Sequence, residues 1–573
     1  MIRNDDNRIS LYIGLNTYLI CGSILVAYAA LEILRITSLI SVFALGMLLA
    51  TVLKAVIYRM ESPRPSTRTI LLSEFSFVAG AVVLALVSAH FFDYSWDGRY
   101  YHQEGVIQLC QGYNPFYQQL DETMVNGGLW INHYPKASEI VSASLYAVSG
   151  NIELGKVQNL LFLFSNLMVG YWLVVSYLKF SRIKSLIFSL LMAANPVVLT
   201  QVLTYYVDGQ MYSLMLATTF LLVLLLVDRA WSWYLVLAPL IFYSASIKFT
   251  AAVYLAMMLL AFCAAPLIIK PARHVARNLI MSGLLFVIAI VVIGYNPYVS
   301  NTIVNGHPLY PVYGMNNVDI ITDQSPAEFS GLNRFSKAFR SYFGETDNIL
   351  ASSGDRIRFK LPLTFSREEI KRLDDFDLRV AGFGPLFSGF ALIAGALYGL
   401  FAFMYFASGG VAPGTKFRLR DYPLEVLAGC FLLSALLMPE FWWARYAPQI
   451  WLIPILLLMA ISKRIGLIAS LARIPLAIAL LNIAMFFAVV ARSNVLRTNA
   501  DRENLEKVQA SHTPIQVYFD HRDADRIKFA TYGIPYTETR DRSLLTGKYQ
   551  NRLFRSAIIA HDNQELADLL AKP

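Results

Sequence analysis

The densest group of chemically versatile side chains lies at residues 95–102, which read Ser-Trp-Asp-Gly-Arg-Tyr-Tyr-His. This segment follows an apolar run, residues 71–92, that is long enough to span a bilayer. A carboxylate at the mouth of a membrane span, beside aromatic rings, can act as a general base on a hydroxyl group. We therefore interpret Asp97 as a candidate catalytic base. Three neighbours are candidates for binding the substrate: Arg99, Tyr101 and His102.

Asp97 also has a structural interpretation, because aspartate is a favoured N-cap and residues 98–110 read as a helix. In such a helix Glu104, seven residues later, lies on the same face as Asp97. Glu104 is therefore a candidate second carboxylate that would contact the substrate. The sequence alone leaves the choice between base and cap open.

Two cations occupy positions that the charge pattern of the chain does not explain. Lys248 separates the apolar runs 231–247 and 249–267, and Arg445 follows a pair of tryptophans. A charge at a membrane boundary is costly unless it is paired or binds an anion. A guanidinium also binds phosphate oxygens through two parallel hydrogen bonds. We interpret both residues as phosphate ligands; the alternatives are snorkelling of Lys248 and an aromatic belt around Arg445.

Further polar residues lie near the same face of the predicted bundle. His133, Tyr134 and Lys136 precede a short apolar segment, and the imidazole and the ammonium could both hold a phosphate. The alternative for Lys136 is snorkelling towards lipid headgroups. Asp208 begins the apolar run 208–227, where an acid is either a functional candidate or an N-cap.

The composition indicates a polytopic, all-α membrane protein. Of 573 residues, 56% are hydrophobic and 15% are charged, whereas soluble proteins carry about 25% charged residues. The apolar runs are continuous, which favours membrane helices over the alternating strands of a barrel. The net charge of +9 lies mostly in short loops, where it sets topology, so we expect no nucleic-acid partner. The four cysteines show no disulfide or metal spacing.

We predict about thirteen membrane spans: 10–34, 38–58, 71–92, 157–178, 184–202, 208–227, 231–247, 250–268, 278–296, 384–407, 422–439, 446–462 and 467–491. Alternate loops are basic, and their residues are Arg59, Arg64, Arg68, Lys179, Arg182, Lys184, Lys270, Arg273, Arg277, Lys416, Arg418, Arg420, Lys463 and Arg464. Loop 92–156 instead carries seven acids against three bases. This pattern predicts a cytoplasmic N-terminus and an extracytoplasmic active site and C-terminus. It requires that residues 136–150 form an amphipathic helix lying on the outer surface.

The spans divide the chain into five parts: N-terminal spans at 1–70, a module at 71–296 with the outer loop 92–156, an outer loop at 297–383, C-terminal spans at 384–491 and an extracytoplasmic α/β domain at 492–573. In the last part, 514–519 and 556–560 read as strands, and 523–532 and 563–571 read as helices. The 297–383 loop is rich in Pro, Gly and aromatic residues, which suggests an ordered binding loop. No internal repeat is evident, which weakens a transporter built from repeated halves.

The order of these motifs resembles the GT-C class of membrane glycosyltransferases, which use polyprenyl-phosphate-linked sugars on the outer side of the membrane. The resemblance covers roughly residues 71–460. It rests on Trp-Asp-Gly-Arg-Tyr-Tyr-His at 96–102, Gly-Tyr-Asn-Pro-Phe at 112–116, Tyr-Pro-Lys at 134–136, Ser-Ile-Lys at 246–248, Asn-Gly-His-Pro-Leu-Tyr-Pro at 305–311 and Arg-Tyr at 445–446. The layout is also similar to that of bacterial lipid A aminoarabinose transferases and protein mannosyltransferases.

The resemblance implies a GT-C fold in which residues 71–296 form the core module and the two spans in residues 1–70 are additional. It places the catalytic acid at Asp97 and adds His307 and Tyr446 to the substrate-binding candidates. Many relatives carry Asp-Glu where this chain has Asp97-Gly98, so a second carboxylate would come from Glu104 or Asp208.

The implied reaction is a single inverting displacement in the bacterial inner membrane, during synthesis or modification of cell-envelope glycans such as lipopolysaccharide or surface polysaccharide. Asp97 would deprotonate a hydroxyl of a glycan, lipid or protein acceptor, which attacks the anomeric carbon of a polyprenyl-phosphate sugar. Arg445 and Lys248, with Lys136 and His133 as further candidates, would stabilise the phosphate leaving group. No cofactor is certain, and a divalent metal that bridges carboxylate and phosphate is left open.

Three other functions fit part of the sequence. An O-antigen or polysaccharide polymerase or ligase also has many spans and a large outer loop, but would rely on Arg and His with diphosphate-linked glycans. A transporter or flippase of lipid-linked glycans would place charges near the bilayer midplane, whereas here they lie at one face. A structural scaffold gives Lys248 and Arg445 no role.

Overall fold

Helices make up most of the protein, and many of them are long and apolar, as its hydrophobic runs predict. The computed structural model describes residues 5–228, 230–269, 275–407, 421–464 and 466–571. Five basic residues on which the predicted topology depends lie outside this part of the chain: Lys270, Arg273, Lys416, Arg418 and Arg420.

The helices of the first half are α1 (Asp5–Ile33), α2 (Leu39–Met60), α3 (Thr67–His90), α4 (Gln103–Cys110), α5 (Gly128–His133), α6 (Ala137–Ser149), α7 (Val157–Ser176), α8 (Arg182–Ala193), α9 (Pro196–Gln201), α10 (Asp208–Val227), α11 (Ser232–Ala245), α12 (Phe249–Ile269) and α13 (Val275–Ile288). A π-helical turn at Gly98–His102 leads into α4, and a second at Ala289–Ile293 extends α13.

The helices of the second half are α14 (Ser300–Asn305), α15 (Arg334–Tyr342), α16 (Arg367–Lys371), α17 (Phe387–Ala407), α18 (Pro423–Leu437), α19 (Leu452–Ser462), α20 (Leu467–Leu471), α21 (Arg473–Ser511), α22 (Arg526–Thr531) and α23 (Gln564–Ala571). The strands are β1 (Ile515–Tyr518), β2 (Tyr536–Glu538), β3 (Tyr549–Leu553) and β4 (Ala557–His561).

Eight helical segments among the described residues are long and apolar enough to cross a membrane, consistent with a polytopic membrane protein. They correspond to α1, α2, α3, α7, α10, α13, α17 and α20–α21. Four more predicted spans coincide with shorter apolar helices, namely Ser232–Ala245, Phe249–Ala265, Pro423–Leu437 and Pro448–Ser462. The count of thirteen therefore stays a prediction.

The predicted span 184–202 is not one continuous helix. It is divided into α8 and α9 at Asn195-Pro196. The Asn195 side chain caps α9 by accepting a hydrogen bond from the Val197 amide (2.8 Å), and Pro196 occupies the first turn, where its missing N–H costs nothing. After the break, α9 packs against the start of α10, where the Gln201 side chain accepts a hydrogen bond from the Gly209 amide (2.8 Å).

The short helix predicted over 136–150 forms as α6, but it is buried in the bundle and does not lie on the surface of the protein. Residues 137–144 are all buried, and α6 packs against α1, α2 and α4. Its serines can be buried because they hydrogen-bond within the bundle; Ser144, for example, donates to the Val141 carbonyl (2.8 Å). An apolar 13-residue helix has the same composition in either place, so the sequence did not distinguish them.

The C-terminal part contains a four-stranded sheet in the order β2-β1-β4-β3, with β1 parallel to β2 and the other pairs antiparallel. The predicted strands at 514–519 and 556–560 are confirmed as β1 and β4, which occupy the centre of the sheet. The helices predicted at 523–532 and 563–571 are confirmed as α22 and α23, although a 3-10 turn at Asp523–Asp525 precedes α22. The predicted boundary at residue 492 lies inside α21, which continues to Ser511.

The loops 91–156, 294–386 and 438–447 meet at one end of the helical bundle, here called the loop face. Contacts across these loops show this directly: Arg445 lies against Asp97 and Asp377, and Tyr206 donates to Asp377 (2.9 Å). The C-terminal sheet docks on the same face, because Arg99 pairs with Asp525 (3.0 Å) and Arg522 stacks on Trp96. Long loops and helix ends therefore build a single site region.

Candidate active site

A large cavity of about 1150 Å³ opens at the loop face. Aromatic rings line much of it, among them Tyr101, Trp130, Tyr134, Tyr206, Trp443 and Tyr446. Another part of its wall is apolar and comes from the ends of α12 and α18, through Val253, Met257 and Leu437. The cavity therefore joins a polar, aromatic chamber to the apolar flank of two helices.

Six charged side chains form a cluster at this cavity, here called the charge ring: Asp97, Asp208, Lys248, Asp377, Arg379 and Arg445. Arg445 is its centre. Its guanidinium lies 2.5 Å from an oxygen of Asp377 and 3.6 Å from oxygens of both Asp97 and Asp208. Three carboxylates thus hold one guanidinium from three sides.

The other two cations balance the outer carboxylates. Lys248 pairs with Asp208, and Arg379 lies 3.0 Å from Asp377. With Arg445, three positive side chains face three carboxylates, so the charge ring carries no net charge when all six groups are ionised. Burying charges in this number is tolerated only when they are paired and hydrogen-bonded.

Aromatic faces cover the cations of the charge ring. The Arg445 guanidinium lies 5.2 Å from the centre of the Tyr206 ring and 5.0 Å from the centre of the Trp443 ring. The Lys248 ammonium lies 5.0 Å from the Tyr446 ring. These distances are within cation–π range and fix the direction in which each cation points.

Asp97 is positioned by a loop that Asp93 anchors. The buried Asp93 carboxylate accepts hydrogen bonds from the backbone amides of Ser95 (2.7 Å) and Tyr205 (2.8 Å). A Cβ on Gly98 would overlap the Asp93 Oδ2 and Ser95 Oγ atoms, so a larger residue at position 98 requires these two side chains to move. Gly98 therefore lets the Asp93 side chain keep the position from which it anchors this loop.

Three other residues of the charge ring lie at or next to helix ends. Asp208 is the first residue of α10, Lys248 directly precedes α12, and Arg445 lies between α18 and α19. Asp377 comes from the loop before α17; its carboxylate accepts from the Tyr206 hydroxyl (2.9 Å) and its carbonyl accepts from the Trp443 indole (2.6 Å). Asp208 pairs with Lys248 but is 1% exposed and does not line the cavity, so its functional interpretation stays a prediction.

Burial and neighbouring charges shift the pKa values of the two loop carboxylates, Asp97 and Asp377, in opposite directions. Burial raises the pKa of Asp97 above its usual range; Arg445 opposes this shift and the nearby Asp377 adds to it. For Asp377, burial also raises the pKa, but Arg445 and Arg379 outweigh it, so the pKa of Asp377 lies below its usual range. The Asp97 side chain stays 24% exposed towards the cavity. Asp97 is therefore the carboxylate that more readily takes up a proton.

Arg99 and Glu104 do not line this cavity, contrary to the roles in substrate binding expected from the sequence. Arg99 is 3% exposed and donates to Asp525 (3.0 Å) and to the Phe554 carbonyl (2.9 Å) of the C-terminal domain. Glu104 is buried and accepts from Gln108 (2.7 Å). Arg99 is thus a docking residue, and Glu104 is not the second carboxylate of the charge ring.

Lys136 and His133 also lie outside the cavity lining. The buried Lys136 ammonium donates to the carbonyls of Asn132 (3.3 Å) and Tyr134 (2.7 Å) and to the Asn296 side chain (2.5 Å). Burial lowers its pKa to about 7. His133 contacts Asn301 (2.7 Å), and burial lowers its pKa. These side chains tie the loop 91–156 to residues 296–301.

The other two histidines among the candidates differ from each other in their surroundings. His102 is buried next to Tyr101 and its Nδ1 lies 2.5 Å from Glu139. His307 accepts a hydrogen bond from the Leu309 amide (3.1 Å) within its own turn. Neither lines the cavity, whereas the predicted Asp97, Tyr101, Tyr134, Lys248, Arg445 and Tyr446 all do.

Asp377, Arg379 and Tyr206 are site residues that the sequence reasoning missed. A signal was present: residues 374–377 read Asp-Asp-Phe-Asp and precede the apolar run 384–407. This arrangement mirrors the acidic segment that holds Asp97, which follows the run 71–92.

The sequence left open a divalent metal. Among the described residues, no group of three or more His, Cys, Asp or Glu side chains is arranged to bind a metal ion. The three carboxylates of the charge ring instead surround the Arg445 guanidinium. The guanidinium thus occupies the place between the three carboxylates in which a metal ion would otherwise neutralise their charge.

Comparisons of the chain with family models, curated proteins and solved structures returned no match. The site offers a partly exposed carboxylate with a raised pKa, fixed cations 3.6 Å or less from carboxylates, and aromatic faces around a large chamber. This combination can accept a proton, bind an anion and stack on the faces of a ring-shaped substrate.

Proposed function

We propose that the protein is a membrane glycosyltransferase of the GT-C type, which transfers a sugar from a polyprenyl-phosphate donor to an acceptor hydroxyl. One observation carries the proposal: Asp97 and Arg445 face each other at 3.6 Å in a cavity that has aromatic rings and an apolar flank. A base, an anion ligand, sugar-stacking surfaces and a path for a lipid chain are the four features that this reaction needs.

In the proposed reaction, the Asp97 carboxylate takes the proton of the acceptor hydroxyl. The acceptor oxygen attacks the anomeric carbon, and the bond from that carbon to the phosphate oxygen breaks with inversion. The released polyprenyl phosphate keeps the bonding electron pair. Arg445 and Lys248 stabilise the charge that develops on this phosphate.

The charge balance of the ring supports this assignment. The ring holds three carboxylates and three cations, so proton uptake by Asp97 leaves it with one net positive charge. The leaving phosphate gains one negative charge in the same step. A preorganised site whose charge changes in the opposite sense to its substrate stabilises the transition state more than the ground state.

The position of the charge ring favours this proposal over a transporter. Asp208, Lys248 and Arg445 lie at the ends of their helices, whereas transporters place coupling charges near the bilayer midplane. In our proposal the loop face is extracytoplasmic, in the inner membrane of a bacterium, and the acceptor is a glycan, lipid or protein of the cell envelope.

Transfer of radiolabelled sugar from membrane lipid into an envelope product tests the proposal. We expect Asp97→Asn to reduce product labelling by about 10²–10⁴-fold at matched expression, because the general base is lost, and labelled polyprenyl-phosphate sugar to accumulate. Asp323→Asn is the matched control, since Asp323 lines the same cavity on an exposed loop. Unchanged labelling in Asp97→Asn, or retention of the anomeric configuration, would contradict the proposal.

A further inference from the structure

A group of aromatic and aliphatic side chains is exposed on the 297–383 loop, outside the cavity. This aromatic patch consists of the exposed Phe335, Phe339, Phe359 and Leu361 and the partly buried Phe343. Phe339 is 60% exposed, Phe359 is 55% exposed and Leu361 is 76% exposed. Contiguous exposed apolar side chains of this size mark a surface that contacts a protein or a membrane.

Helix α15 builds the first half of the aromatic patch. Asn333 caps it by accepting from the amides of Phe335 (3.1 Å) and Ser336 (3.0 Å). Phe335 and Phe339 are four residues apart and therefore share one face of the helix. The opposite face is buried, where Ser341 donates to the Trp442 carbonyl (2.9 Å).

An extended segment builds the second half. Phe359 pairs with Gly344 in an antiparallel bridge, and the Glu345 amide donates to the Arg358 carbonyl (2.8 Å). The Phe339 ring lies 4.9 Å from the Phe343 ring and 6.2 Å from the Phe359 ring. The two halves therefore form one rigid, continuous surface.

The aromatic patch adjoins the ends of two apolar helices. A Cβ on Gly389, in the first turn of α17, would overlap Leu363, so this loop lies directly against that helix. Arg334 donates to the Leu436 carbonyl (2.8 Å) in the last turn of α18. Since α17 is long and apolar enough to cross a membrane, a surface beside its first turn lies at the depth of the headgroups.

Basic side chains border the aromatic patch. Arg334, Arg356 and Arg358 are exposed, with Asp355 as the acid next to them in sequence. Lys337 and Arg340 lie on the same helix but are paired, with Glu440 (3.5 Å) and Glu328 (3.3 Å). Exposed arginines around an apolar surface favour an anionic lipid layer over a zwitterionic one.

We propose that the aromatic patch, with Arg334, Arg356 and Arg358, binds the headgroup layer of an anionic bilayer. The rings insert at the boundary of headgroups and acyl chains, and the arginines pair with lipid phosphates. Docking holds α15 in place, and α15 in turn supports the segment Phe441–Arg445 through the carbonyl of Trp442. The proposal does not depend on sugar transfer.

Spin labels on the full-length protein in vesicles test this binding. The exposed Cys110 and Cys430 are first replaced by serine, since Cys21 and Cys263 are buried. A label at Phe359→Cys should collide with dissolved oxygen and be shielded from a water-soluble nickel reagent. A label at Ser353→Cys, exposed on the same loop, is the aqueous control. Aqueous behaviour at position 359, or shielding from both reagents, would overturn the proposal.

Lipid charge gives a second readout. Vesicles that contain phosphatidylglycerol should hold the label at position 359 deeper than vesicles of phosphatidylcholine alone. Changing Arg356→Gln and Arg358→Gln together should lower the docked population in the anionic vesicles, by about fivefold for each arginine. The matched control is Arg552→Gln with Arg555→Gln, two exposed arginines of the C-terminal domain. Equal depth in both lipids would overturn the anionic assignment.

Discussion

Two groups of cations at the loop face look alike in sequence and differ in structure. Lys248 and Arg445 belong to the charge ring and line the cavity. Lys136 lies near the same face but is buried among carbonyl and amide oxygens, and the buried His133 contacts Asn301 and lies 3.4 Å from the Glu122 carboxylate. Each of the four follows or precedes an apolar run, beside aromatic residues, so the local sequence gives no reason to separate them.

The difference lies in the partners. Lys248 and Arg445 are paired with carboxylates, and a phosphate can replace a carboxylate as the partner of such a cation. Lys136 donates to three uncharged oxygens and is 5% exposed. A cation that already satisfies backbone carbonyls in a closed space stabilises the fold and has no surface to offer a ligand. The partners therefore distinguish Lys248 and Arg445, which form ion pairs and line the cavity, from Lys136, although Arg445 is itself only 9% exposed.

Among the substitutions of these cations, Arg445→Lys should have the largest effect on activity. Lysine keeps the charge but loses the planar fork that contacts Asp377, Asp97 and Asp208 at once. We expect kcat to fall by about 10²–10³-fold, as when one donor to a developing anion is removed. Kinetics with a purified lipid donor would measure this.

Arg464→Lys is the matched control for Arg445→Lys. Arg464 also lies over an aromatic ring, Phe401, but follows α19 at its other end. Its replacement should leave kcat unchanged. An equal loss in both variants would show that any arginine beside an aromatic ring in this fold is needed for stability, and would remove the special role of Arg445.

Removing the lysine from each group should give opposite results. Lys248→Met combined with Asp208→Asn removes an ion pair without leaving a lone buried charge, so we expect kcat to fall about 10²-fold with little loss of stability. Lys136→Met leaves the Tyr134 carbonyl and the Asn296 Oδ1 without a donor, whereas the Asn132 carbonyl still accepts from the Asn296 amide. It should lower the free energy of unfolding by about 1–3 kcal/mol while the folded fraction keeps its activity.

Thermal unfolding in detergent, together with sugar transfer normalised to folded protein, separates these outcomes. A Lys136→Met protein that is stable but inactive would return Lys136 to the list of phosphate ligands. A stable and fully active Lys248→Met, Asp208→Asn protein would remove that pair from the site.

Much of the fold follows from patterns that the sequence displays. Continuous apolar runs predicted the long helices, and the apolar centres of 514–519 and 556–560 predicted β1 and β4. The edge strand β2 was missed because it has only three residues, and β3 was missed because its sequence, Tyr-Gln-Asn-Arg-Leu, is mostly polar. The interior position of α6 was missed because neighbouring helices decide it, and no local pattern records them.

The sequence likewise predicted part of the candidate site and missed the rest. Asp97, Lys248 and Arg445 come together because alternate ends of antiparallel helices return to one face, which the spacing of apolar runs already implies. Asp377 was missed because the path of an irregular loop of more than eighty residues sets its contact with Arg445. Partners contributed by irregular loops carry no periodic signal.

Asp377→Asn should have the smallest effect and tests how the two loop carboxylates share Arg445. The base works only when Asp97 is deprotonated, so kcat/KM should fall on the acid side of the raised pKa of Asp97. Removing Asp377 removes a neighbouring negative charge, so the pKa of Asp97 should fall. The acid limb of the kcat/KM profile should therefore move to lower pH, by up to about one unit.

The pH profile of Asp323→Asn provides the comparison, because it removes a carboxylate from the same cavity but from its exposed side. Its acid limb should stay where the wild-type limb lies. A limb that moves to higher pH in Asp377→Asn would mean that Asp377 does not raise the pKa of Asp97 but helps to keep it ionised. The released Arg445 would then have left Asp97, and the two carboxylates would depend on each other to hold the guanidinium in place.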